Sequence, residues 1–355
     1  MKRVLVVPTI RLDFNGITNV ILNFHQYIDK SEFQVDFIIS NGANEWVCSK
    51  LNSLGGELYF APPRNKKSLQ YANYLKKLLI RNYYDIIHVH GNSGTMALEL
   101  MIAKSANIKK RIAHTHSSAN KYKLLHYVLK KSMNDNATHF IASSEKAAKW
   151  SFNNDYVILK NGIEVDKFLF NYKTRKKHRK LLNLENKFVI GHIGHMTPVK
   201  NHDFLIDIFN EVYKKNLNSI LLLIGDGKNK SKILEKIEKL SLTKSVIMLG
   251  NRSDVNELLQ AMDVFVFPSK NEGLGIVTIE AQAAGLKCIV SDAVPLETKI
   301  TNNIEYLPLE LPASEWAEAI LKYKKGYERK NLRNEVSING FNIKDTVKIL
   351  ENLYR

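Results

Sequence analysis

Two glutamates with seven residues between them, Glu272 and Glu280, form the pattern with the clearest chemical meaning in this 355-residue chain. The apolar run Val264–Phe267 precedes them, and the first glutamate opens a turn that contains Gly273, Leu274 and Gly275. This order predicts a buried strand, a turn and then a helix. The free N–H groups and the positive dipole end of such a helix attract an anion such as a diphosphate. Glu280, about two turns along, would lie deeper on the same helix face as Glu272. Both carboxylates would accept hydrogen bonds from a hydroxyl-rich ligand.

A lysine stands six residues after a glycine that ends a second apolar run. The run Phe188–Ile193 predicts another strand, Gly194 follows it, and Lys200 lies close enough to reach a diphosphate held at this strand end. There a point-charge ammonium would offset the charge that develops on a leaving group. The alternative is one exposed lysine among 52 lysine and arginine residues.

The Glu-x7-Glu pattern resembles that of the retaining glycosyltransferases of family 4, which have the GT-B fold. Other segments resemble motifs of that family in the expected order: Asn15-Gly16-Ile17, Arg111–Ser117, Asn161-Gly162-Ile163, Gly191–Gly194 with Lys200-Asn201-His202, and Leu221–Gly227. The segment Arg111–Ser117 is similar to the acceptor-side loop of members that build capsules and exopolysaccharides. Together the matches run from about residue 4 to residue 297, which is most of the chain.

The resemblance implies roles in binding a nucleotide-sugar donor. Lys200 would contact the diphosphate, Glu280 the ribose hydroxyls and Glu272 the hydroxyls of the donor sugar. Glycines would let the backbone approach the donor at Gly16, at Gly194 and in the turn of Gly273, Leu274 and Gly275. An ordinary turn glycine is the alternative for Gly16.

Three further residues are assigned by the same resemblance. His116 matches the acceptor-domain histidine that lies near the reacting sugar carbon, so it joins Lys200 and Glu272 as a predicted catalytic residue. Arg252 is a candidate for the nucleobase pocket. The family usually has an arginine directly after the glycine of the Gly194 strand, and this chain has His195 instead. A histidine there would contribute a hydrogen bond or merely fill space.

The spacing of His114 and His116 raises the question of a metal. They end a predicted strand, where residues i and i+2 point to one side. A metal pair is one interpretation, but the sequence offers no evident third ligand, and the resemblance implies catalysis without metal. We therefore expect His114 to be a structural partner, and we expect neither a metal nor a cofactor, since the nucleotide-sugar is a substrate.

The segments that must position these residues alternate between strands and helices. Strands are predicted at Val4–Val7, Val35–Ile39, Asp85–His90, Ile112–Thr115, His139–Ser143, Val157–Leu159, Phe188–Ile193, Ile220–Ile224, Val246–Leu249, Val264–Phe267 and Cys288–Ser291. Helices are predicted near Trp46–Leu54 and at Leu69–Tyr83, Asp203–Lys215, Ser231–Leu240, Asp254–Met262 and Ile276–Ala284. Such alternation implies parallel strands with helical crossovers.

We accordingly predict an α/β protein of the GT-B type, with two Rossmann-like, doubly wound domains that face a central cleft. Residues 1–165 would bind the acceptor and residues 166–342 the nucleotide-sugar. The boundary is placed where a basic, poorly patterned run interrupts the alternation. By resemblance, the last helix, residues 343–355, would cross back onto the first domain.

The net charge of +17 is concentrated, with +10 in residues 1–165 and +6 in residues 171–180. Such a basic surface suits nucleic acid, anionic lipid or an anionic acceptor, or is simply a solvated face. One stretch is both basic and amphipathic, with Leu124, Leu125, Val128 and Leu129 beside Lys121, Lys123, Lys130 and Lys131. It lies either on an anionic membrane or with its apolar side packed on the sheet.

Two bulk features bear on location. No run approaches the ~18 consecutive apolar residues that span a bilayer. The two cysteines are far apart in the sequence and suit a reducing compartment. We expect a cytoplasmic protein that is peripheral on the inner face of the cell membrane.

The resulting hypothesis is a retaining, metal-independent glycosyltransferase that moves a sugar from a UDP-sugar to a lipid-linked saccharide in capsule or exopolysaccharide biosynthesis. One alternative is a sugar-nucleotide epimerase of the same fold, which would form product without an acceptor. A dinucleotide oxidoreductase is disfavoured because Gly225-Asp226-Gly227 lacks the third glycine of that fingerprint. A nucleic-acid-binding protein is the alternative from another class, although no helix-turn-helix, zinc finger or aromatic RNA platform is visible.

Overall fold

The computed structural model describes residues 1–13, 15–117 and 123–355. They form two compact units, the first made of Met1–Ile163 with Gly340–Arg355 and the second of Glu164–Asn339. Each unit is built around one parallel sheet with helices between its strands, which confirms the predicted α/β class. None of the helices in the described ranges is long and apolar enough to cross a membrane.

The first unit contains a sheet that has seven strands in the described part of the chain, in the order β3-β2-β1-β4-β5-β6-β7. The strands are β1 (Lys2–Pro8), β2 (Phe33–Ile39), β3 (Leu58–Phe60), β4 (Ile86–Gly91), β5 (Lys110–Thr115), β6 (His139–Ala142) and β7 (Val157–Ile158). The helices are α1 (Gly16–Tyr27), α2 (Glu45–Ser53), α3 (Ser68–Arg81), α4 (Ala97–Ser105), α5 (Lys123–Asn136), α6 (Glu145–Ser151) and, from the end of the chain, α15 (Ile343–Tyr354).

Both faces of this sheet are covered, and the alternation of side chains along β1 shows why its sequence is apolar throughout. Leu5 and Val7 belong to one buried cluster, whereas Val4 and Val6 belong to the cluster on the other face. A strand buried on both faces reads as a continuous apolar run, which is the pattern that predicted it. Helix α15 adds Ile343, Val347, Leu350 and Tyr354 to the second cluster.

The second unit has a six-stranded sheet in its described residues, in the order β10-β9-β8-β11-β12-β13. The strands are β8 (Phe188–Ile193), β9 (Ser219–Ile224), β10 (Val246–Met248), β11 (Val264–Phe267), β12 (Lys287–Ser291) and β13 (Ile304–Leu307). The helices are α7 (Val165–Phe168), α8 (Tyr172–Leu181), α9 (His202–Lys215), α10 (Lys230–Lys239), α11 (Val255–Ala261), α12 (Ile276–Ala283), α13 (Ala313–Leu321) and α14 (Arg333–Ile338).

No helix was predicted in the basic, poorly patterned run at the start of this unit. It forms α8, whose inner face is made of basic side chains rather than apolar ones. Arg175 and Arg179 both pair with Asp263, and His178 Nε2 lies 2.6 Å from Glu257 Oε2. Hydrophobic periodicity cannot detect a helix that is anchored in this way.

Candidate active site

The loops that hold the predicted donor residues leave the second sheet at its topological switch point. Strand β8 has β9 on one side and β11 on the other, so the connections that follow β8 and β11 diverge to opposite faces of the sheet. Ligands of open α/β sheets bind in the crevice that such a divergence leaves outside the carboxyl ends of the strands. Gly194 and Lys200 follow β8, and Glu272 follows β11.

Glycines are required where the ends of β8 and β9 approach one another. A Cβ atom on Gly225 would lie 2.2 Å from the carbonyl oxygen of Gly194, and Gly225 has a φ of +128°. A Cβ on Gly194 would come within 3.3 Å of both His192 Nε2 and Lys200 Cδ. The two glycines therefore let the loops pass closely, and they keep the backbone beside Lys200 uncovered by a side chain.

Lys200 and Glu272, predicted separately from two distant segments, form an ion pair. Lys200 Nζ lies 2.7 Å from Glu272 Oε1 and 4.6 Å from the centre of the Phe267 ring. The Ser269 hydroxyl donates to the same Glu272 oxygen. The backbone N–H of Lys270 donates to the carbonyl of Val199 at 2.8 Å and ties the two loops together. The sequence did not single out Ser269, although its place directly after Pro268 at the end of β11 marked a polar strand end.

Helix α12 begins at the same place without a side-chain cap. Its first residue follows Gly275, which adopts a left-handed conformation with a φ of +77° that favours glycine. Gly275 has no side chain to accept from the first N–H groups, and no other side chain caps them in the described ranges. The N–H of Thr278 donates to the carbonyl of Gly275 at 2.9 Å, whereas the N–H groups of Ile276 and Val277 stay available to an anionic group.

Glu280, on the second turn of α12, is only partly exposed, and burial raises the pKa of its carboxyl to about 7. Within the described residues no hydrogen bond or ion pair compensates this carboxylate. Desolvating a carboxylate without a partner is unfavourable. Its position is therefore one at which a ligand's hydroxyl groups would be favourable partners.

Two other predicted donor residues already have partners. His195 is exposed, and its Nδ1 lies 3.3 Å from the backbone carbonyl of Asp226. Arg252 makes a two-pronged contact with Asp254, with Nε to Oδ1 at 2.8 Å and Nη2 to Oδ2 at 2.6 Å. A nucleobase at Arg252 would have to share the guanidinium with this carboxylate.

In the first unit, Gly16 is the first residue of α1, and the side chain of Asn15 caps this helix by accepting from Thr18 N at 3.1 Å. A Cβ on Gly16 would meet no atom of the described residues within 4 Å. Packing within the described chain therefore does not require a glycine at this position, and its predicted role toward the donor stays a prediction.

His116 lies directly after β5, with its ring stacked on two other histidines. Its Nε2 is 3.0 Å from His90 Nδ1, and its ring centre is 4.1 Å from that of His114. Burial lowers the pKa of His116 to about 3, so the ring is neutral at physiological pH. His116 is thus placed as a neutral hydrogen-bonding group rather than as a cation.

The expectation that His114 and His116 have no third companion is wrong. Strand β4 brings His88 and His90 beside them, and ligand atoms of His88, His90 and His114 all lie within 4.8 Å of one another. The repeated His-x-His pattern in two strands was visible in the sequence. Its meaning depends on the pairing of β4 with β5, which the sequence alone did not give.

Comparison with known families gives a match in each of the two units. The model for "Glycosyltransferase Family 4" matches residues 14–167, and the model for "Glycosyl transferases group 1" matches residues 173–342. Together they cover nearly the whole chain. The chain belongs to glycosyltransferase family 4.

Two named relatives extend the comparison over most of the chain. EpsF of Bacillus subtilis strain 168, named as a glycosyltransferase, is 28% identical, and the match covers 99% of this chain and 96% of EpsF. An Escherichia coli protein named UDP-Gal:alpha-D-GlcNAc-diphosphoundecaprenol alpha-1,3-galactosyltransferase is also 28% identical, over 79% of this chain and 77% of its own length.

The crystal structure of Anabaena HepE in complex with UDP and glucose superimposes on the whole of this chain and the whole of HepE with a TM-score of 0.82 at 17% sequence identity. At this identity the likeness establishes the fold. The family 4 glycosyltransferase described here therefore has the GT-B fold.

Proposed function

We propose that this glycosyltransferase transfers a sugar from a UDP-sugar to a lipid-linked saccharide, with retention of the anomeric configuration, in capsular or exopolysaccharide biosynthesis. The observation that carries the proposal is the Lys200–Glu272 pair beside the uncapped N-terminus of α12 at the switch point of the second sheet. Two further findings support it. HepE, which shares the fold, was crystallised with UDP and glucose, and the name of the Escherichia coli relative describes transfer to a diphosphoundecaprenol-linked sugar.

In this proposal the donor diphosphate competes with Glu272 for Lys200. The ammonium now pairs with one carboxylate at 2.7 Å. A diphosphate carries more negative charge and also accepts from the free N–H groups of α12. Lys200 would turn to the diphosphate, and Glu272 Oε1 would then accept from hydroxyls of the donor sugar. Lys200 and the helix N-terminus supply the positive charge, so the transfer step needs no metal ion.

The bond changes follow from this arrangement. The bond between the anomeric carbon and the phosphate oxygen breaks, and the acceptor oxygen bonds to the same carbon on the same face. The proton of the acceptor hydroxyl passes to the departing diphosphate, so the protein needs no dedicated base. Positive charge fixed in advance at the leaving group stabilises the transition state more than the ground state.

We further propose that α5 attaches the first unit to an anionic lipid surface, where lipid-linked acceptors reside. Its apolar side chains divide between two sides. Met133 is buried and Leu129 half-buried against the core, whereas four others point to solvent, with 80% of Leu124, 45% of Leu125, 60% of Tyr127 and 67% of Val128 exposed. Packing on the sheet thus accounts for only one side of the helix.

The cationic residues of this stretch agree with attachment to anionic lipid. Lys123 and Lys131 are exposed and Lys130 is half-buried, whereas Lys121 lies outside the described residues. Each lysine near an anionic surface contributes about 1 kcal/mol. Several lysines beside exposed apolar side chains would give reversible attachment without a spanning helix.

Incubation with a panel of UDP-sugars and polyprenyl-diphosphate-linked acceptors tests the transfer. We expect product only when both substrates are present, with the anomeric configuration of the donor preserved in the NMR coupling constants. Inverted product would refute retention. A sugar-nucleotide product formed without acceptor would instead indicate an epimerase.

Cosedimentation tests the membrane contact. Binding to vesicles with anionic lipid should fall steeply with salt, because surface charges are screened within ~10 Å at 0.1 M. Replacing Lys123 and Lys131 with glutamine should weaken it. The same change at Lys146 and Lys149, which are exposed on α6, provides the matched control. Equal binding of both double variants would show that α5 is not the attachment site.

A further inference from the structure

Four histidines of the first unit lie on one face of two neighbouring strands. β4 and β5 pair in parallel with His90 opposite His114. His88 stands two residues before His90, and His116 two residues after His114, so the strand period of two puts all four side chains on the same side. His88, His90 and His114 are at most 1% exposed, whereas His116 is partly exposed at the rim.

The spacing of the three buried rings is close to that of a three-histidine metal site. Their ring centres are 4.1 Å (His88 to His90), 4.8 Å (His90 to His114) and 5.3 Å (His88 to His114) apart. With metal–nitrogen bonds of about 2.0–2.1 Å in a tetrahedral arrangement, ligand nitrogens lie about 3.4 Å apart and ring centres about 5 Å apart.

Three ring nitrogens of the four histidines have no hydrogen-bond partner within the described chain. His90 Nε2, His114 Nε2 and His116 Nδ1 are buried and have no hydrogen-bond partner in the described residues. Buried polar atoms without partners are rare because each one loses its contact with water. A metal ion bound to His90 Nε2 would use a lone pair that is otherwise unsatisfied.

The remaining ring nitrogens have partners of the kind that orient metal ligands. His88 Nδ1 lies 2.7 Å from the hydroxyl oxygen of Tyr354 on α15, and His90 Nδ1 lies 3.0 Å from His116 Nε2. With the proton on Nδ1 in both contacts, Nε2 of His88 and of His90 each keep a lone pair for a metal ion. His114 Nδ1, 3.2 Å from His88 Nε2, is in place to supply the third bond.

The chemistry of the ligand atoms selects the class of metal. All three proposed ligands are imidazole side chains buried from solvent. Neutral imidazole is the form that binds metal, and it suits Zn²⁺, Cu²⁺, Ni²⁺ and Fe²⁺ rather than Mg²⁺ or Ca²⁺.

We propose that His88, His90 and His114 bind a divalent transition-metal ion of the Zn²⁺ class, which links β4 to β5 and, through Tyr354, to the C-terminal helix. The site is structural and goes beyond the proposed sugar transfer, whose charged groups lie in the second unit. Because His116 contacts both His90 and His114, the test measures metal binding directly and does not infer it from transfer activity.

Metal binding by the tag-free, full-length protein tests the proposal. After dialysis against a chelator and titration with Co²⁺ at pH 7.5, we expect one equivalent bound with the visible absorption bands of a tetrahedral site. X-ray absorption of the Zn²⁺ form should show about three imidazole nitrogens at about 2.0–2.1 Å. A folded parent protein that binds neither ion stoichiometrically would overturn the proposal, as would a Zn²⁺ site without imidazole ligands.

Variants assign the ligands. His90→Gln and His114→Gln should each weaken Co²⁺ binding at least tenfold, and Tyr354→Phe, which keeps all the imidazoles, should weaken it by about ten- to a hundredfold. His139→Gln, on β6 outside the cluster, is the matched control and should bind as the parent does. Parent-like binding by folded His90→Gln would refute the assignment. If the glutamine variants do not fold, the imidazole count in the parent protein decides.

Discussion

Replacing Glu280 with glutamine should stabilise the ligand-free protein while it weakens nucleotide binding. Burial raises the pKa of this carboxyl from 4.5 to about 7. Because the folded-state pKa lies above the unfolded value, ionisation favours the unfolded state. The resulting destabilisation is absent below about pH 4.5, grows as the pH rises and is complete above about pH 7. Glutamine removes the charge and with it this pH-dependent loss.

The size of the effect follows from the same shift. A change of about 2.5 pKa units corresponds to about 3 kcal/mol at most. Glu280 is partly exposed, so solvent screening reduces this value, and we expect about 1–2 kcal/mol at pH 8. For a domain of this size that is a rise in melting temperature of about 2–8 °C. At pH 5 most of the gain should be absent.

Thermal unfolding of the parent and of Glu280→Gln at pH 5 and pH 8 measures this difference. Glu238→Gln, an exposed change on α10, is the matched control and should alter neither melting temperature. Calorimetry with UDP should show weaker binding by Glu280→Gln than by the parent. The Kd of the variant divided by the Kd of the parent should grow with pH, and taking this ratio cancels the titration of UDP itself. A variant that is less stable than the parent at pH 8, or equally shifted at both pH values, would refute the reasoning.

Three further predictions concern neighbouring groups. His195→Ala should lose less activity than Lys200→Ala in steady-state assays, and His195→Arg should be tolerated, because His195 is exposed and contacts the backbone carbonyl of Asp226; the reverse order would contradict this. His116→Ala should bind UDP in calorimetry as the parent does while kcat falls, and a large loss of UDP affinity would place His116 on the donor side. Glu272→Gln should lower kcat/KM for the UDP-sugar more than it lowers the affinity for UDP, because its proposed contacts are to the sugar; equal losses would assign it to the nucleotide.

The sequence predicted most strands because buried parallel strands are continuous apolar runs. It missed β3, a three-residue edge strand, and β13, in which only Ile304 is buried. It also missed α4, α6, α13 and α14, which were not singled out by their periodicity. Helix α8 was missed for a different reason, since its anchors are Arg175, His178 and Arg179.

At the site, the sequence named Lys200 and Glu272 but not their contact, because that contact depends on β8 and β11 being neighbours in the sheet. The same limit applied to the histidines. His114 and His116 were recognised as a pair on one strand, whereas His88 and His90 joined them only once β4 was paired with β5. Local pattern predicts elements, and strand order decides which of their ends meet.

Calorimetric titration of UDP into the parent, Lys200→Ala, Glu272→Gln and the double variant tests the central claim most directly. If Lys200 contacts the diphosphate, its removal should weaken binding by roughly 3 kcal/mol, or about a hundredfold, in the presence or absence of Glu272. Lys244 is exposed and precedes β10, the edge strand of the second sheet, so the control variant Lys244→Ala should bind UDP as the parent does. Parent-like binding by Lys200→Ala, or a double variant that binds as tightly as Glu272→Gln alone, would contradict the account, since Lys200 would then serve only to hold Glu272.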